Sequence, residues 1–486
     1  MTAPFVLPGN SPARLWPLPE EEPFAPPRLL AAITAVALLG AATIRVNAFG
    51  SALLLTGSAV LVLAMACRRR RPGAGDLVTG AAALALLSVV SVRSAPWLVV
   101  LCLLGTWALA TLALVGGRTW TGVLLAAVAS VLATSRALVW SVVPLKRLRV
   151  PASRRGLAVA LVSGCLLLVF GSLFAAADPA YAHVLDALAP ALDTAPLVRR
   201  GGVLLAVGGT ATLAVFLAQR PPSVDALAPD PAAPVRRTDW LVPLASVDVL
   251  FLSFVSVQLS VLFGGRDHVL RSTGLSYAEY ARHGFWQLLV VTGLTLVVIA
   301  AAVRFAPRES GRDRLLVRLL LGGLCLLSLV VVASALHRMS LYEDAYGFTR
   351  LRLFVQAVEL ALGAVFVLLL VAGIRLDGRW LPRAVVGVAA VTLLGLAVVD
   401  PDASIARHNV ERYQRSGLID TSYLSTLSAD AVPELLRLPL GLRACAVDPI
   451  RVDLRDTSDP WWDVNLGRRS ARSALAHTPV GACRAG

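Results

Sequence analysis

The sequence predicts an all-α membrane protein, a polytopic bundle of transmembrane helices followed by a small, mainly helical extramembrane domain. Hydrophobic residues make up 57% of the 486 residues and charged residues only 15%, whereas soluble proteins carry about 25% charged residues. Many apolar runs also approach the length of about 20 residues that a helix needs to cross a bilayer. These two observations exclude an ordinary soluble domain.

Eleven apolar runs predict eleven spans, and a twelfth run is ambiguous. This run, 119–143, contains Arg136 and leads into a basic cluster that ends at Arg155. A twelfth span would place the cluster on the opposite side of the membrane from Arg68 to Arg71. A helix lying in the inner interface keeps both clusters on the cytoplasmic side, as the positive-inside rule requires. We therefore predict eleven spans: 29–45, 48–67, 76–92, 95–116, 156–177, 201–219, 241–263, 284–305, 316–336, 350–374 and 382–399.

The net charge of +15 is concentrated in short loops between the spans, so it indicates orientation in a cell membrane rather than binding to nucleic acid. The amino terminus is then cytoplasmic and the carboxy-terminal domain extracytoplasmic. In chain order, the predicted parts are a disordered proline-rich tail, four spans, a basic interfacial segment, a core helical bundle and the carboxy-terminal domain: 1–27, 28–118, 119–155, 156–399 and 400–486. The predicted outer loops of the core bundle are 178–200, 264–283 and 337–349.

Local patterns in the carboxy-terminal domain predict helices and one possible cross-link. Asp400 and Asp459 each precede a proline, which is typical of a capped helix start, and we expect helices near 401–416 and 429–438. The two cysteines of the domain, Cys445 and Cys483, can form a disulfide if the domain lies outside the cytoplasm. Two cysteines in a segment of this length can also occur by coincidence.

Six motifs stand out along the chain, four in its apolar part and two in the predicted carboxy-terminal domain. They include Leu-Phe-Gly-Gly-Arg-Asp-His and Gly-Leu-Ser-Tyr-Ala-Glu-Tyr-Ala-Arg, and together they occupy 262–268, 274–282, 284–288, 338–353, 409–413 and 427–433. In these motifs the sequence resembles an uncharacterised bacterial family of polytopic membrane proteins, the domain of unknown function 4173, which is related to 4153. The resemblance covers roughly residues 160 to 440. It implies a multi-span envelope protein and brings neither an established activity nor catalytic residues.

Ionisable residues inside spans are costly and are therefore the first functional candidates. The span 350–374 carries Arg352, Gln356 and Glu359 on one helical face. They could line a polar cavity that opens to the outside, or they could form an internal ladder that joins two helices. The span 241–263 carries Asp248 and Gln258. Asp248 is a candidate for transport or a proton relay, or it is a buried carboxyl that is protonated or hydrogen-bonded.

Two acidic residues of the predicted outer loops have a structural explanation. Ser276 with Glu279, and Ser340 with Glu343, have the spacing of a capping box at a helix start. Asp267 and Asp344 have no such explanation. Two carboxylates on separate loops can serve acid–base chemistry or hold a metal ion, but their spacing does not show that they meet. The outer-loop candidates are Asp267, His268, Tyr280, Tyr342, Asp344 and Tyr346.

The histidines do not predict a metal site. All six lie in predicted outer segments, but no two have the spacing of a zinc motif. The sequence also lacks the nucleotide-binding and hydrolase motifs that would indicate a cofactor or a known activity, so we predict no metal and no cofactor. The histidines are His183, His268, His283, His337, His408 and His477.

Three functions fit these observations. The first is transport of a small solute or ion past Asp248, Arg352, Gln356 and Glu359. The second is an envelope enzyme that acts on a lipid or lipid-linked substrate at the outer face, with Asp267 and Asp344. The third is a non-enzymatic assembly or signalling partner that uses the carboxy-terminal domain. The lipid bilayer is the one partner that the sequence predicts directly, and a protein partner or homo-oligomer stays open.

Overall fold

The computed structural model describes residues 24–46, 48–147, 194–229, 235–273, 285–306, 310–457, 459–481 and 483, with scattered positions between 163 and 181. Within these ranges the chain forms sixteen α-helices and no strand. The predicted fold class, an all-α polytopic bundle, is therefore confirmed.

Eleven helices form the bundle. Nine of the described helices are long and apolar enough to cross a membrane, and two shorter apolar helices precede them. Large apolar side chains such as Val62, Val249 and Val398 are exposed on their outer surfaces, as expected of helices that contact lipid. The helices are α1 Pro27–Thr43, α2 Ser51–Ala66, α3 Ala74–Val92, α4 Pro96–Val115, α5 Trp120–Arg147, α6 Thr194–Gln219, α7 Arg237–Thr273, α8 Phe285–Phe305, α9 Gly311–Tyr346, α10 Arg350–Arg375 and α11 Leu381–Val399.

Every predicted span except 156–177 coincides with one of these helices. That span falls mostly outside the described residues, as does the amino-terminal tail up to residue 23. The helix starts follow local chemistry. Pro96 and Pro382 occupy first-turn positions that need no amide hydrogen, and the side chains of Ser310 and Thr349 accept hydrogen bonds from amides in the first turns of α9 and α10.

The bundle has two ends, which we name by what they carry. The arginine end contains the described residues of the links between helices at 67–73, 116–119, 220–229, 235–236, 306, 310 and 376–380. Its links are joined to one another: Arg383 donates to Asp76 (2.9 Å) and to the Gly117 carbonyl (3.0 Å), and Gln219 donates to the Cys67 carbonyl (2.6 Å). The domain end contains the described residues of the links at 44–46, 48–50, 93–95 and 347–349, and those of the carboxy-terminal domain at 400–457, 459–481 and 483.

Helix α5 runs across the arginine end rather than between the two ends. Near its start, the Thr119 hydroxyl donates to Asp225 (2.8 Å) in the link that follows α6. Near its other end, the Trp140 carbonyl accepts from the amide of Ala25 (3.1 Å), just before α1, and the Trp140 ring packs on Phe216 near the end of α6. Although α5 is long and apolar enough to be a span, these contacts support the interfacial position of 119–155, which stays a prediction.

Two segments predicted as outer loops are helical. Helix α7 continues to Thr273 and α9 to Tyr346. The predicted boundary in α9 contains no proline or glycine, whereas Gly264 and Gly265 lie at the predicted boundary in α7 and do not end that helix. The prediction of a capping box at Ser340 is wrong: its hydroxyl donates to the His337 carbonyl one turn earlier, inside α9. That helix stops at Gly347, whose φ of +83° suits glycine. The Ser276 and Glu279 pair lies outside the described residues.

The carboxy-terminal domain is a small helical unit with its own core, which includes Ile405, Val410 and Leu435. The predicted helix 401–416 is present, whereas the segment predicted as a helix over 429–438 is a 3₁₀ turn and a single helical turn. Its helices are α12 Pro401–Ser416, α13 Thr421–Leu424, α14 Val432–Leu435, α15 Leu440–Asp456 and α16 Leu466–His477.

Two features of the domain concern its last residues. A disulfide joins Cys445 in α15 to Cys483, with a Cα–Cα distance of 4.7 Å. No helix begins at Asp459, contrary to its predicted role as a cap. Its carboxylate instead forms ion pairs with Arg468 and Arg472, and Asn465 caps α16.

Candidate functional site

Polar side chains gather in two regions near the domain end. The first, the seam, lies between the carboxy-terminal domain and the bundle and is built around Asp400, Asp402 and Asp430. The second, the inner cluster, lies among α7, α9 and α10. Its members are Gln258, Ser334, Arg338, Glu343, Arg352, Gln356 and Glu359.

Asp402 is the centre of the seam. It is completely buried, and its carboxylate accepts hydrogen bonds from Arg350 Nε (2.9 Å) and Nη2 (2.5 Å), Trp97 Nε1 (3.2 Å) and the Ser428 amide (2.8 Å). Burial by itself raises the pKa of a carboxyl, but the hydrogen bond and positive charge of Arg350 bring the pKa of Asp402 below its usual value. Asp402 is therefore an ionised carboxylate, and both of its oxygens accept hydrogen bonds.

The domain also supplies caps for helices of the bundle. Asp430 accepts from the amide of Ser94 (2.8 Å) just before α4, and Asp463 accepts from the amide of Ala52 (3.1 Å) in the first turn of α2. The side-chain amide of Asn465 donates to two backbone carbonyls at the end of α3. Helix ends leave backbone groups unpaired, so these contacts make the domain a structural part of the bundle.

Asp400 is a titratable member of the seam. It forms an ion pair with Arg93, and its side chain accepts a bond from the Ala403 amide at the start of α12. Burial, together with the nearby charge of Asp430, raises the pKa of Asp400 to about 6 although Arg93 opposes the shift. Ionisation of Asp400 therefore affects the docking of the domain more than ionisation of an ordinary surface carboxyl would.

The inner cluster begins where α9 ends and α10 starts. Gln356 Nε2 donates to Glu343 Oε2 (2.5 Å) across the two helices. Arg352 donates to the Gly347 carbonyl, and its guanidinium carbon lies 4.1 Å from the centroid of the Tyr342 ring, a cation–π contact. Two of the three residues predicted to share a face of α10, Arg352 and Gln356, thus contact α9 and the link after it.

A second contact joins α7 to α9. The side-chain oxygen Oε1 of Gln258 accepts hydrogen bonds from Arg338 Nη2 (2.8 Å) and from the Ser334 hydroxyl (3.3 Å). Gln258 was a predicted candidate, whereas sequence reasoning missed Arg338 because its segment was predicted to be a loop. A signal was present, since no proline or glycine separates Arg338 from the apolar run before it.

Glu359 differs from all of these residues. It is completely buried, and neither carboxylate oxygen has a hydrogen-bond partner among the described residues. One oxygen of Glu343 and one of Asp248 are also buried without a partner there. Asp248 is ten residues from Gln258, about 15 Å along α7, and lies apart from the inner cluster. An isolated buried carboxylate is very costly, so Glu359 requires either a proton or a cation.

The remaining outer candidates do not form a describable active site. Tyr342 and Tyr346 pack together with their ring centroids 4.9 Å apart, and Asp344 is exposed to solvent. Tyr280 and the side chains of Asp267 and His268 lie outside the described residues. Within the described part of the chain, no three His, Cys, Asp or Glu residues are grouped as a metal site would need.

Comparison with known proteins shows that these two regions lie within a part of the chain that matches a known family. Residues 81–438 match the family described as Domain of unknown function (DUF4153). The matched part extends from α3 into the domain, so it includes the inner cluster and Asp400, Asp402 and Asp430. No curated protein and no solved structure matches the chain. The predicted relation to the domain of unknown function 4173 stays a prediction. Since the match covers well over half of its length, the chain belongs to the DUF4153 family.

Proposed function

We propose that this protein transports a small solute or ion across the membrane, and that Glu359 binds the ion, or a coupled proton, within the pathway. The observation that carries the proposal is a completely buried carboxylate in a spanning helix with neither oxygen hydrogen-bonded among the described residues. Ionisable groups at such positions are expensive and are typical of ion and proton pathways.

The depth of Glu359 supports this role. It is nine residues from Arg350 at the start of α10, which corresponds to about 14 Å along the helix axis. The hydrocarbon core of a bilayer is about 30 Å thick, so the carboxyl lies near its middle. A group that takes up an ion or proton there can exchange with either side of the membrane as the helices rearrange.

The residues above Glu359 form a polar approach from the domain end. Arg352, Gln356 and Glu359 follow one another along a face of α10, and Gln356 holds Glu343 beside that face. The alternative interpretation, an internal ladder that joins two helices, accounts for the bond between Gln356 and Glu343. It does not account for Glu359, because a ladder requires a partner for each polar group.

The test is ion flux through the reconstituted protein. Full-length protein in liposomes with a trapped pH-sensitive dye should carry protons when a membrane potential is imposed, or take up radioactive sodium or rubidium. Glu359→Gln keeps the shape of the side chain but removes its charge, and it should abolish that flux while the protein still inserts. Asp344→Asn is the matched control, since Asp344 is a solvent-exposed acid at the domain end and its loss should leave the flux unchanged.

Two results would reject the transport proposal. One is a Glu359→Gln protein with wild-type flux. The other is a correctly inserted wild-type protein that carries neither protons nor either cation, because then the buried carboxyl would have no ionic cargo.

We further propose that the domain end faces away from the cytoplasm. The arginine end supports this orientation because it holds Arg68 to Arg71, Arg118 and Arg220, as the positive-inside rule expects of a cytoplasmic face. A membrane-impermeant thiol reagent applied to intact cells should label Cys445 and Cys483 only after reduction. Labelling that appears only once the membrane is opened would reverse the orientation.

A further inference from the structure

A basic pocket lies on the bundle at the domain end, away from the inner cluster. Its volume is about 330 Å³, and it is formed by the end of α1, the first turns of α6 and the turn before α16. Arg45, Arg199 and Arg200 line it together with Pro460 and Trp462. Pockets of about 300 Å³ and more are large enough to hold small ligands.

The pocket lies at the height of a membrane surface. Arg200 is nineteen residues from Gln219, where α6 ends at the arginine end, which corresponds to about 28 Å along the helix. This distance nearly equals the hydrocarbon thickness of about 30 Å. Trp462 is half exposed and its neighbour Trp461 is 86% exposed, as is typical of aromatic residues at the headgroup level.

The charge of the pocket selects an anion. None of its described lining residues is acidic, and within the described part of the chain Arg199 and Arg200 are exposed and form no ion pair. The two acids of the adjoining turn are engaged. Asp459 pairs with two other arginines, and Asp463 accepts from the Ala52 amide and interacts with the charge of Arg45.

The helix ends at the pocket do not change this conclusion. α1 ends there and contributes about half a negative charge, whereas α6 begins there and contributes about half a positive charge. These partial charges nearly cancel, so the full charges of Arg199 and Arg200, which form no ion pair among the described residues, determine the potential of the pocket.

We propose that this pocket binds the phosphate group of an anionic headgroup at the outer membrane surface. Arginine presents planar pairs of donors that match phosphate oxygens. Trp462 would lie beside the headgroup, with its apolar ring towards the acyl chains and its N–H towards water. The same chemistry would accept a free phosphate ion, so the two sources need separate measurements.

The experiment is a titration of the full-length protein in detergent with phosphatidylglycerol, read by native mass spectrometry. Phosphatidylcholine, whose phosphate is neutralised within the headgroup, is the comparison lipid. The double substitution of Arg199→Gln and Arg200→Gln should weaken the binding of phosphatidylglycerol about 25-fold, since each arginine contributes about five-fold. Arg199→Lys with Arg200→Lys should retain most of the binding.

The matched control removes the same charge from the carboxy-terminal domain, outside the pocket. Arg415 and Arg469 are exposed and lie outside the pocket, so Arg415→Gln with Arg469→Gln should leave the binding unchanged. Displacement of the lipid by inorganic phosphate would identify free phosphate as a competent ligand, and its absence would assign the site to the lipid.

The proposal fails if the double glutamine variant binds phosphatidylglycerol like the wild type, if the control pair loses as much affinity, or if the wild type does not prefer this lipid over phosphatidylcholine. The thermal transition of each variant shows whether it is folded. If the glutamine variant does not fold, Trp462→Leu provides the same test, and wild-type affinity in that variant would also overturn the proposal. This site is separate from Glu359, so the headgroup-binding proposal and the transport proposal can each fail without the other.

Discussion

The seam and the inner cluster contain the same kinds of residues, acids beside arginines and amides, but the two regions satisfy them differently. In the seam, Asp402 accepts four hydrogen bonds. In the inner cluster, Glu359 is as deeply buried and accepts none from the described residues. Buried polar groups in proteins are almost always paired. Apart from one oxygen of Asp430, which has no partner among the described residues, the seam follows the rule of a structural interface. Glu359 departs from it with both of its oxygens, as functional groups do.

The largest expected effect on stability lies in the seam. Asp402→Asn should leave the guanidinium of Arg350 without its charged partner, and breaking a buried ion pair from one side costs about 3 to 5 kcal/mol. The carboxy-terminal domain should then undock, which thermal unfolding and limited proteolysis of the domain will detect. Asp456→Asn, a change at an exposed acid of the same domain, should have no such effect. If Asp402→Asn unfolded at the same temperature as the wild type, the distinction between the two regions would be lost.

A smaller effect is expected from pH. The pKa of Asp400 is raised to about 6 in the folded protein, chiefly by burial, so the folded state binds more protons than the unfolded state at mildly acidic pH. Its contribution is fully present below the unfolded pKa of about 4 and is lost as the pH rises through about 6. Asp402 acts in the opposite direction, since its lowered pKa gives a contribution that is lost only in stronger acid.

Asp400→Asn isolates the first of these contributions. The thermal transition of the wild-type domain should fall as the pH rises from about 4 to about 6, and the variant should show a flatter profile over that window. A variant with the same slope as the wild type would assign the pH dependence to another group, of which Asp430, whose pKa is also raised by burial, is the nearest.

The sequence predicts the bundle well because helix-length apolar runs and caps are local signals. Asp400 before Pro401 predicts the start of α12, and the spacing of Arg352, Gln356 and Glu359 predicts that they share one face of α10. These features depend on residues that are close in the chain.

The partners of these residues are not predictable in the same way. Arg93 is 307 positions from Asp400, and no periodicity relates them. Arg338 and Glu343 were assigned to an outer loop because the segment 337–349 is polar, whereas α9 continues through it until Gly347. The boundary of a helix that leaves the apolar layer is set by its breaker and its tertiary contacts rather than by hydropathy.

The most direct test of the central claim measures flux and stability together in Glu359→Gln. The glutamine removes no described hydrogen bond, so the thermal transition should remain close to that of the wild type while ion flux is lost. In Asp402→Asn, by contrast, the main defect should be a lower thermal transition rather than a specific loss of ion flux. Wild-type flux in a folded Glu359→Gln protein, or a loss of stability in that variant as large as in Asp402→Asn, would contradict the account and make Glu359 a structural residue like those of the seam.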